Sequence, residues 1–264
     1  MFPLLFEINL GFLHIPLHTY GFLIAIGFLA GIYTVRKLSV MAKMDPDKNA
    51  DLAFWLLLYG FIGARVLFII TRLDYFLSNP GDMVKVWEGG LVFFGGLIAA
   101  TGYAFYFFRK HNLNLWSMTD VFIPGVVVAH AFGRLGCLAA GCCYGRPTDM
   151  PWGIHLHSEL VDETLRGLPL HPTQLYESSS LFILYFGLLY IFKNKRFDGQ
   201  VGLTYFMIYP IIRSIIEIYR GDSIRGFIID GVLSTSQFIS ILIFAGALFM
   251  LLLRLKQTEK NVVQ

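Results

Sequence analysis

Charge is what this chain has least of. Only 15% of its 264 residues are Asp, Glu, Lys or Arg, against 56% hydrophobic, and mean hydropathy is +0.62. An ordinary soluble domain carries about 25% charged residues, so that class is excluded. Cysteine is scarce too: the three present, Cys137, Cys142 and Cys143, are too few for a disulfide scaffold. The first 17 residues contain Pro3, Glu7 and Pro16 but no Lys or Arg. That fits neither a cleaved secretory signal nor a membrane span, and suits a short interfacial segment. No repeat of fixed period and no inverted symmetry between halves is visible, which speaks against the plan of many transporters. Outside the apolar runs no basic face carries interleaved stacking aromatics, so nucleic acid is not an expected partner.

What the chain has in abundance is long apolar runs. Stretches of roughly 20 apolar residues cross a bilayer as helices. Seven are expected, over about 18–36, 52–72, 91–109, 118–138, 174–193, 199–219 and 235–254. The predicted fold class is therefore an all-α polytopic membrane protein, a single integral membrane domain over 1–264. Most of the 21 Lys and Arg flank one set of helix ends, among them Arg36, Lys37, Arg109, Lys110, Lys193, Lys195, Arg196 and Arg254. The positive-inside rule puts that side in the cytoplasm, with the amino terminus outside and the carboxyl terminus inside. The net charge of +3 then reflects anchoring at the inner leaflet. The longest connection, 139–173, falls on the outer side and reads as a periplasmic cap carrying Cys142, Cys143, Trp152, His155, His157 and His171.

Three arginines break the apolar runs: Arg65, Arg134 and Arg213. A guanidinium at mid-membrane costs roughly 2.5–3.5 kcal/mol even on the lenient insertion scale. It cannot lose its proton to escape that cost. Each needs an anionic or polar partner: a carboxylate, a lipid phosphate or a wet cavity. In the fourth run, His130 and Arg134 are four apart and share a helix face, and Gly133 and Gly136 thin the helix for close approach. Arg134 lies toward the outward end, where its fork of donors matches a phosphate. Pairing with a buried carboxylate is the competing reading. Arg65 sits nearer the membrane middle and suits a structural or cavity-lining role.

The fifth run opens His171-Pro172-Thr173-Gln174-Leu175-Tyr176-Glu177. Pro172 suits a helix start, and Gln174, Glu177 and Ser178 fall on one face. A carboxylate inside an apolar helix needs a cation, and an arginine from another span is the natural source. In the sixth run, Arg213 and Glu217 are four apart, Tyr209 lies four before Arg213, and Pro210 should bend the segment. Arg134, Glu177 and Arg213 together suggest a polar chamber opening to the outer side.

Those blocks carry a family likeness. The chain resembles the prolipoprotein diacylglyceryl transferases through Gly133-Arg134-Leu135-Gly136 with Gly145-Arg146; through His171 to Glu177; and through Tyr209, Arg213, Glu217, Arg220 and Asp222. Tyr20-Gly21, Trp87-Glu88-Gly89-Gly90 and Gly95-Gly96 add to the match, in order along nearly the whole chain. The resemblance implies an integral protein of the bacterial inner membrane. It would move the diacylglyceryl group of phosphatidylglycerol to the lipobox cysteine of a prolipoprotein signal peptide, making a thioether and glycerol phosphate without cofactor or metal. Its partners would be phosphatidylglycerol, prolipoprotein signal peptides and membrane lipids. Catalytic roles are implied for Arg213, His130, His171, Tyr20, Tyr209 and Glu177, and lipid binding for Arg134, Gln174, Gly136 and Glu217.

Three positions depart from the family pattern. Phe94 stands in Phe93-Phe94-Gly95-Gly96 where a histidine is usual, Cys137 where an asparagine is usual, and Cys142 where a glutamate is usual. An active enzyme then needs another base, His130 and His171 being the candidates. The cysteines admit a disulfide between the fourth run and the loop, packed free thiols, or a metal or catalytic role, although their spacing is not a standard zinc pattern. Two other functions stay open: a transporter with buried charges, and a relative that binds lipid or signal peptide without catalysis.

Overall fold

The structure, a computed structural model, describes residues 4–9, 14–86, 89–221, 226–229 and 232–263. Pro3, Trp87, Glu88, Asp222 and Arg225 lie outside the described residues. The described chain forms helices α1 (Thr19–Met41), α2 (Pro46–Thr71), α3 (Leu73–Ser78), α4 (Phe93–His111), α5 (Leu115–Ala140), α6 (Thr173–Asn194), α7 (Gln200–Tyr219) and α8 (Thr235–Val263). Six helices are long and apolar enough to cross a membrane, so this is a multi-pass membrane protein. The third expected span is α4, a 19-residue helix that falls short of the other six in apolarity. Its last turn holds Arg109, Lys110 and His111, cations that suit a helix C-terminus, before Asn112 ends it at φ +49°.

Backbone proximity divides the chain into two compact units. The unit Val35–Met118 is built on α2 and α4. Asp45 caps α2 by accepting from the backbone N–H groups of Asp47 and Lys48, with Pro46 at the first helical position. A side chain on Gly63 would bring its Cβ within 2.5 Å of the Gly95 carbonyl, so the two helices meet backbone to backbone. Arg65 confirms the structural side of its expectation. Its nitrogens donate to the carbonyls of Asp82 (2.7 Å), Met83 (3.1 Å), Lys85 (3.2 Å), Gly89 (2.6 Å) and Gly90 (3.1 Å). All five guanidinium donors are thereby used, which ties α2 to the connection that follows it. That connection contains α3 and a 3-10 turn at Pro80–Val84.

The other unit, Met1–Thr34 with Thr119–Gln264, begins as an antiparallel hairpin of β1 (Leu4–Asn9) and β2 (His14–His18). Next, α1 leans on α5, where a Cβ on Gly27 would come within 2.7 Å of Phe132 Cβ and 3.0 Å of the Ala129 carbonyl. At the start of α7, fully buried Asp120 accepts from Lys195 Nζ at 2.8 Å and from the N–H groups of Gly199, Val201 and Gly202 at 2.9, 2.9 and 3.2 Å. A carboxylate at exposed helix N–H groups is well placed, and here it pins α7 to α5. Between α5 and α6 the long connection has its own apolar cluster of Tyr144, Leu156, Val161 and Leu170. Strands β3 (Ile154–His155) and β4 (Pro169–Leu170) pair across it. A second hairpin, β5 (Phe227–Ile229) with β6 (Leu233–Ser234), leads into α8.

Candidate active site

Glu177 sits on the second turn of α6 at 1% exposure, and three side chains from two neighbouring helices converge on it. Arg134 Nε of α5 lies 3.0 Å from Glu177 Oε2, His130 Nε2 3.7 Å from Oε1, and Tyr209 Oη of α7 donates to Oε1 at 3.0 Å. Arg134 Nε also donates to His130 Nε2 at 3.3 Å, which makes that ring nitrogen an acceptor. A carboxylate this deep persists only when paired and hydrogen-bonded, and both conditions are met. The buried-carboxylate reading of Arg134 is therefore realised. It does not use up the guanidinium: both contacts are made by Nε, the terminal nitrogens have no hydrogen-bond partner among the described residues, and the side chain keeps 17% exposure. An anion can reach that edge.

Arg213 and Glu217 pair along α7, Nη2 to Oε2 at 2.6 Å, as their spacing predicts. Arg213 Nη1 is buried with no hydrogen-bond partner among the described residues. Leaving such a donor unmade costs about 1–3 kcal/mol or more, so the site is short of one acceptor. Arg213 is close enough for its charge to act on His130, which connects the pair to the Glu177 cluster. Tyr205 stacks on Tyr209 with ring centroids 5.4 Å apart and planes within 10°. Sequence reading missed Tyr205, although its place four residues before Tyr209 was the available signal.

The remaining predicted residues surround this cluster at its loop end. Gln174 is buried, with Nε2 donating to the Cys142 carbonyl at 2.7 Å and Oε1 left without a partner. Gly136 lets Tyr20 close in: an added Cβ would stand 3.0 Å from the Tyr20 ring. Gly133, expected to admit a neighbouring helix or a lipid headgroup, has nothing within 4 Å of such a Cβ. It opens space beside Arg134 and makes no helix contact. His171 is set apart from the Glu177 cluster. Its Nδ1 is 3.2 Å from Tyr176 Oη, and it lines a cleft of about 410 Å³ with Met150, Trp152, Tyr176, Ile212 and Tyr219. Trp152 Nε1 donates to Tyr176 Oη at 2.6 Å across the same cleft. Burial, then the Arg146 charge, pushes the His171 pKa below its ordinary value, so the ring is neutral at pH 7. Phe94, at the family's histidine position, is exposed and belongs to the other unit.

The Gly145-Arg146 block is a crossing point. Gly145 N–H donates to the His171 carbonyl (2.9 Å), Arg146 N–H to that of Tyr219 (2.9 Å), and His171 N–H to that of Arg146 (3.0 Å). Only glycine fits at 145, since a Cβ would lie 2.5 Å from His171 Cβ and 2.7 Å from the Tyr219 carbonyl. The loop thereby clasps the start of α6 and the end of α7. The disulfide expected as one possibility for the cysteines is not formed here. All three are free, half-buried thiols whose sulfurs lie within 4.8 Å of one another. The packed-thiol reading and a metal role both survive that geometry.

Comparison with known proteins adds an independent line. Residues 4–253 match the family model described as prolipoprotein diacylglyceryl transferase. Among curated relatives, the phosphatidylglycerol–prolipoprotein diacylglyceryl transferase of Finegoldia magna is 34% identical over 92% of this chain and 93% of its own length. The enzyme of the same name from Clostridium tetani is 34% identical over 91% of this chain and 93% of its own. That of Lactiplantibacillus plantarum is 30% identical over 94% and 88%.

Proposed function

The chain belongs to the prolipoprotein diacylglyceryl transferase family, and from that premise we propose that it transfers the diacylglyceryl group of phosphatidylglycerol to a cysteine thiol of prolipoproteins. It is a membrane transferase of lipoprotein biosynthesis. The observation that carries the assignment of residues is the unfilled anion demand at Arg134 and Arg213: one guanidinium with an uncommitted edge, the other with a buried orphan donor. The phosphate of phosphatidylglycerol supplies the missing acceptor oxygens.

In this reading the thiolate sulfur of the precursor attacks the glycerol carbon bonded to the phosphate oxygen. A carbon–sulfur bond forms, the carbon–oxygen bond breaks, and glycerol phosphate leaves. Charge grows on the departing oxygen, and fixed guanidinium donors that need not reorganise lower that barrier most. Arg134 holds the lipid phosphate and Arg213 meets the leaving group. Glu177 fixes Arg134, whose Nε donates on to His130, Tyr209 steadies Glu177, Glu217 holds Arg213, and Gln174, Gly136 and Tyr20 shape the loop-side wall. The apolar cleft beside His171 takes the signal peptide. The connection between α5 and α6 acts as a periplasmic cap on one integral domain of the bacterial inner membrane, with the amino terminus outside and the carboxyl terminus in the cytoplasm. The excess of basic residues on one set of helix ends supports that orientation.

The test is direct. Full-length protein purified in detergent is mixed with phosphatidylglycerol and a lipobox peptide, and the peptide mass is followed. A gain of one diacylglyceryl group with release of glycerol phosphate is expected. A peptide left unmodified by protein that binds both substrates would turn the assignment toward a non-catalytic relative.

A further inference from the structure

Cys137, Cys142 and Cys143 are the chain's entire complement of cysteine, and the fold brings all three sulfurs together beside the candidate active site. Every pair of the three sulfurs lies within 4.8 Å. Arg134 and Arg220 lie close enough for their charges to act on Cys143, and Tyr20 is within electrostatic range of all three thiols and of Arg134. The backbone presenting the sulfurs is fixed from several directions. Cys142 N–H donates to the Cys137 carbonyl at 3.0 Å, while the Cys142 and Cys143 carbonyls accept from Gln174 Nε2 at 2.7 Å and Thr173 Oγ1 at 2.8 Å. Cys143 is held at φ +62°, a left-handed conformation that side-chain-bearing residues seldom adopt. Strain of this kind persists where surrounding structure imposes it, often at ligand clamps.

We propose that these three sulfurs form a tris-thiolate site for a soft metal ion of the Zn²⁺ type, with an open fourth position that takes the thiolate of the peptide substrate. Tetrahedral zinc with bonds of about 2.3 Å needs sulfurs about 3.8 Å apart, so the present spread of up to 4.8 Å asks for a contraction of no more than about 1 Å. Three protein ligands with one open position is the pattern of zinc sites that act on a substrate, whereas a structural site is closed by a fourth protein ligand. Three thiolates around Zn²⁺ carry one net negative charge, which the nearby Arg134 and Arg220 offset. A thiol entering the fourth position loses its proton on coordination and remains a nucleophile. The proton passes to solvent or a neutral imidazole, and the sulfur then forms its bond to the glycerol carbon as the phosphate leaves. Phe94 at the family's histidine position gives such an ion a task. This proposal rests on the transferase reading, and it assigns the thiol activation which that reading left without a group.

Because the chain has no other cysteine, both metal stoichiometry and thiol counts report on this cluster alone. The full-length protein is purified under reducing conditions and titrated with Zn²⁺, and then with Co²⁺ as a spectroscopic stand-in. The proposal expects one ion per chain and protection of three thiols from maleimide. It also expects a tetrahedral thiolate–cobalt spectrum that changes when a lipobox peptide is added and stays unchanged with the Cys→Ser peptide. Cys143→Ser should weaken Zn²⁺ binding at least about 100-fold; if that variant does not accumulate, maleimide protection in the unaltered chain decides. No bound ion, three thiols equally reactive with and without Zn²⁺, or two thiols lost to a disulfide would each overturn the proposal. So would a cobalt spectrum blind to the cysteine peptide. Diacylglyceryl transfer measured on the same preparations separates the two claims. Transfer that survives chelation at full rate removes the metal and leaves the transferase standing, whereas a zinc-loaded protein that transfers nothing counts against the transferase reading itself.

Discussion

Replacing Glu177 by Gln removes the charge on which three side chains converge while preserving the shape and the acceptor for Tyr209. In the native protein that carboxylate holds Arg134 Nε at 3.0 Å and Tyr209 Oη at 3.0 Å, with His130 Nε2 at 3.7 Å. Breaking a buried ion pair by removing one partner costs about 3–5 kcal/mol. Arg134 keeps 17% of its side chain exposed, and the amide still accepts from Tyr209, so the expected loss is about 2–3 kcal/mol. In a chain of this size each kcal/mol moves Tm by roughly 2–4 °C, giving a drop of roughly 4–12 °C in detergent. The discriminating assay is the double-mutant cycle with Arg134→Gln. Each single change strands one charge and the double strands neither, so the double should recover about 1.5–3 kcal/mol relative to the sum of the singles. Additivity to within about 0.5 kcal/mol would refute the pairing as an energetic unit.

Asp120→Ala takes the acceptor from three N–H groups at the start of α7, while Lys195 keeps Asp198 at 2.7 Å, and should cost about 1–3 kcal/mol or more, read as a lower Tm and poor accumulation in the membrane; an unchanged Tm would contradict the anchoring role. Gly145→Ala forces a Cβ to within 2.5 Å of His171 Cβ and 2.7 Å of a fixed carbonyl, so a loss of about 1–3 kcal/mol is expected, and a neutral melt would show that the crossing can relax. His171 has its pKa lowered by burial and by Arg146, so below about pH 6.5 the unfolded chain binds more protons at this position than the folded one. Stability should therefore fall as pH drops through about 6.5, and His171→Asn should flatten that part of the Tm–pH curve. Identical slopes in the two proteins would rule the effect out.

Much of the architecture was legible because membrane spans announce themselves by length and apolarity. The six long apolar helices fall on expected runs; the remaining expected run is α4, whose basic end and glycines leave it less apolar than the other six. The face shared by Gln174, Glu177 and Ser178 followed from helical spacing, and all three are buried. The Arg213–Glu217 pair followed in the same way. What stayed hidden depended on distant backbone. Nothing local to Arg65 says that five carbonyls of the segment 82–90 will satisfy it. The convergence of Cys137 with Cys142 and Cys143 depends on how the chain leaves α5, including a left-handed Cys143 that no spacing rule foresees. The short strands β3 to β6 escaped notice because two- and three-residue pairings carry no periodic signal.

The sharpest measurement is the rate of diacylglyceryl transfer by Arg213→Gln, made on protein shown by its melt to be folded and at saturating phosphatidylglycerol. If the orphan Nη1 donor meets the departing phosphate, kcat falls by about 10²–10³ while the protein remains inserted and intact. A folded variant that turns over at the original rate would mean that the guanidinium serves only its neighbour Glu217, and the proposed phosphate grip would be wrong.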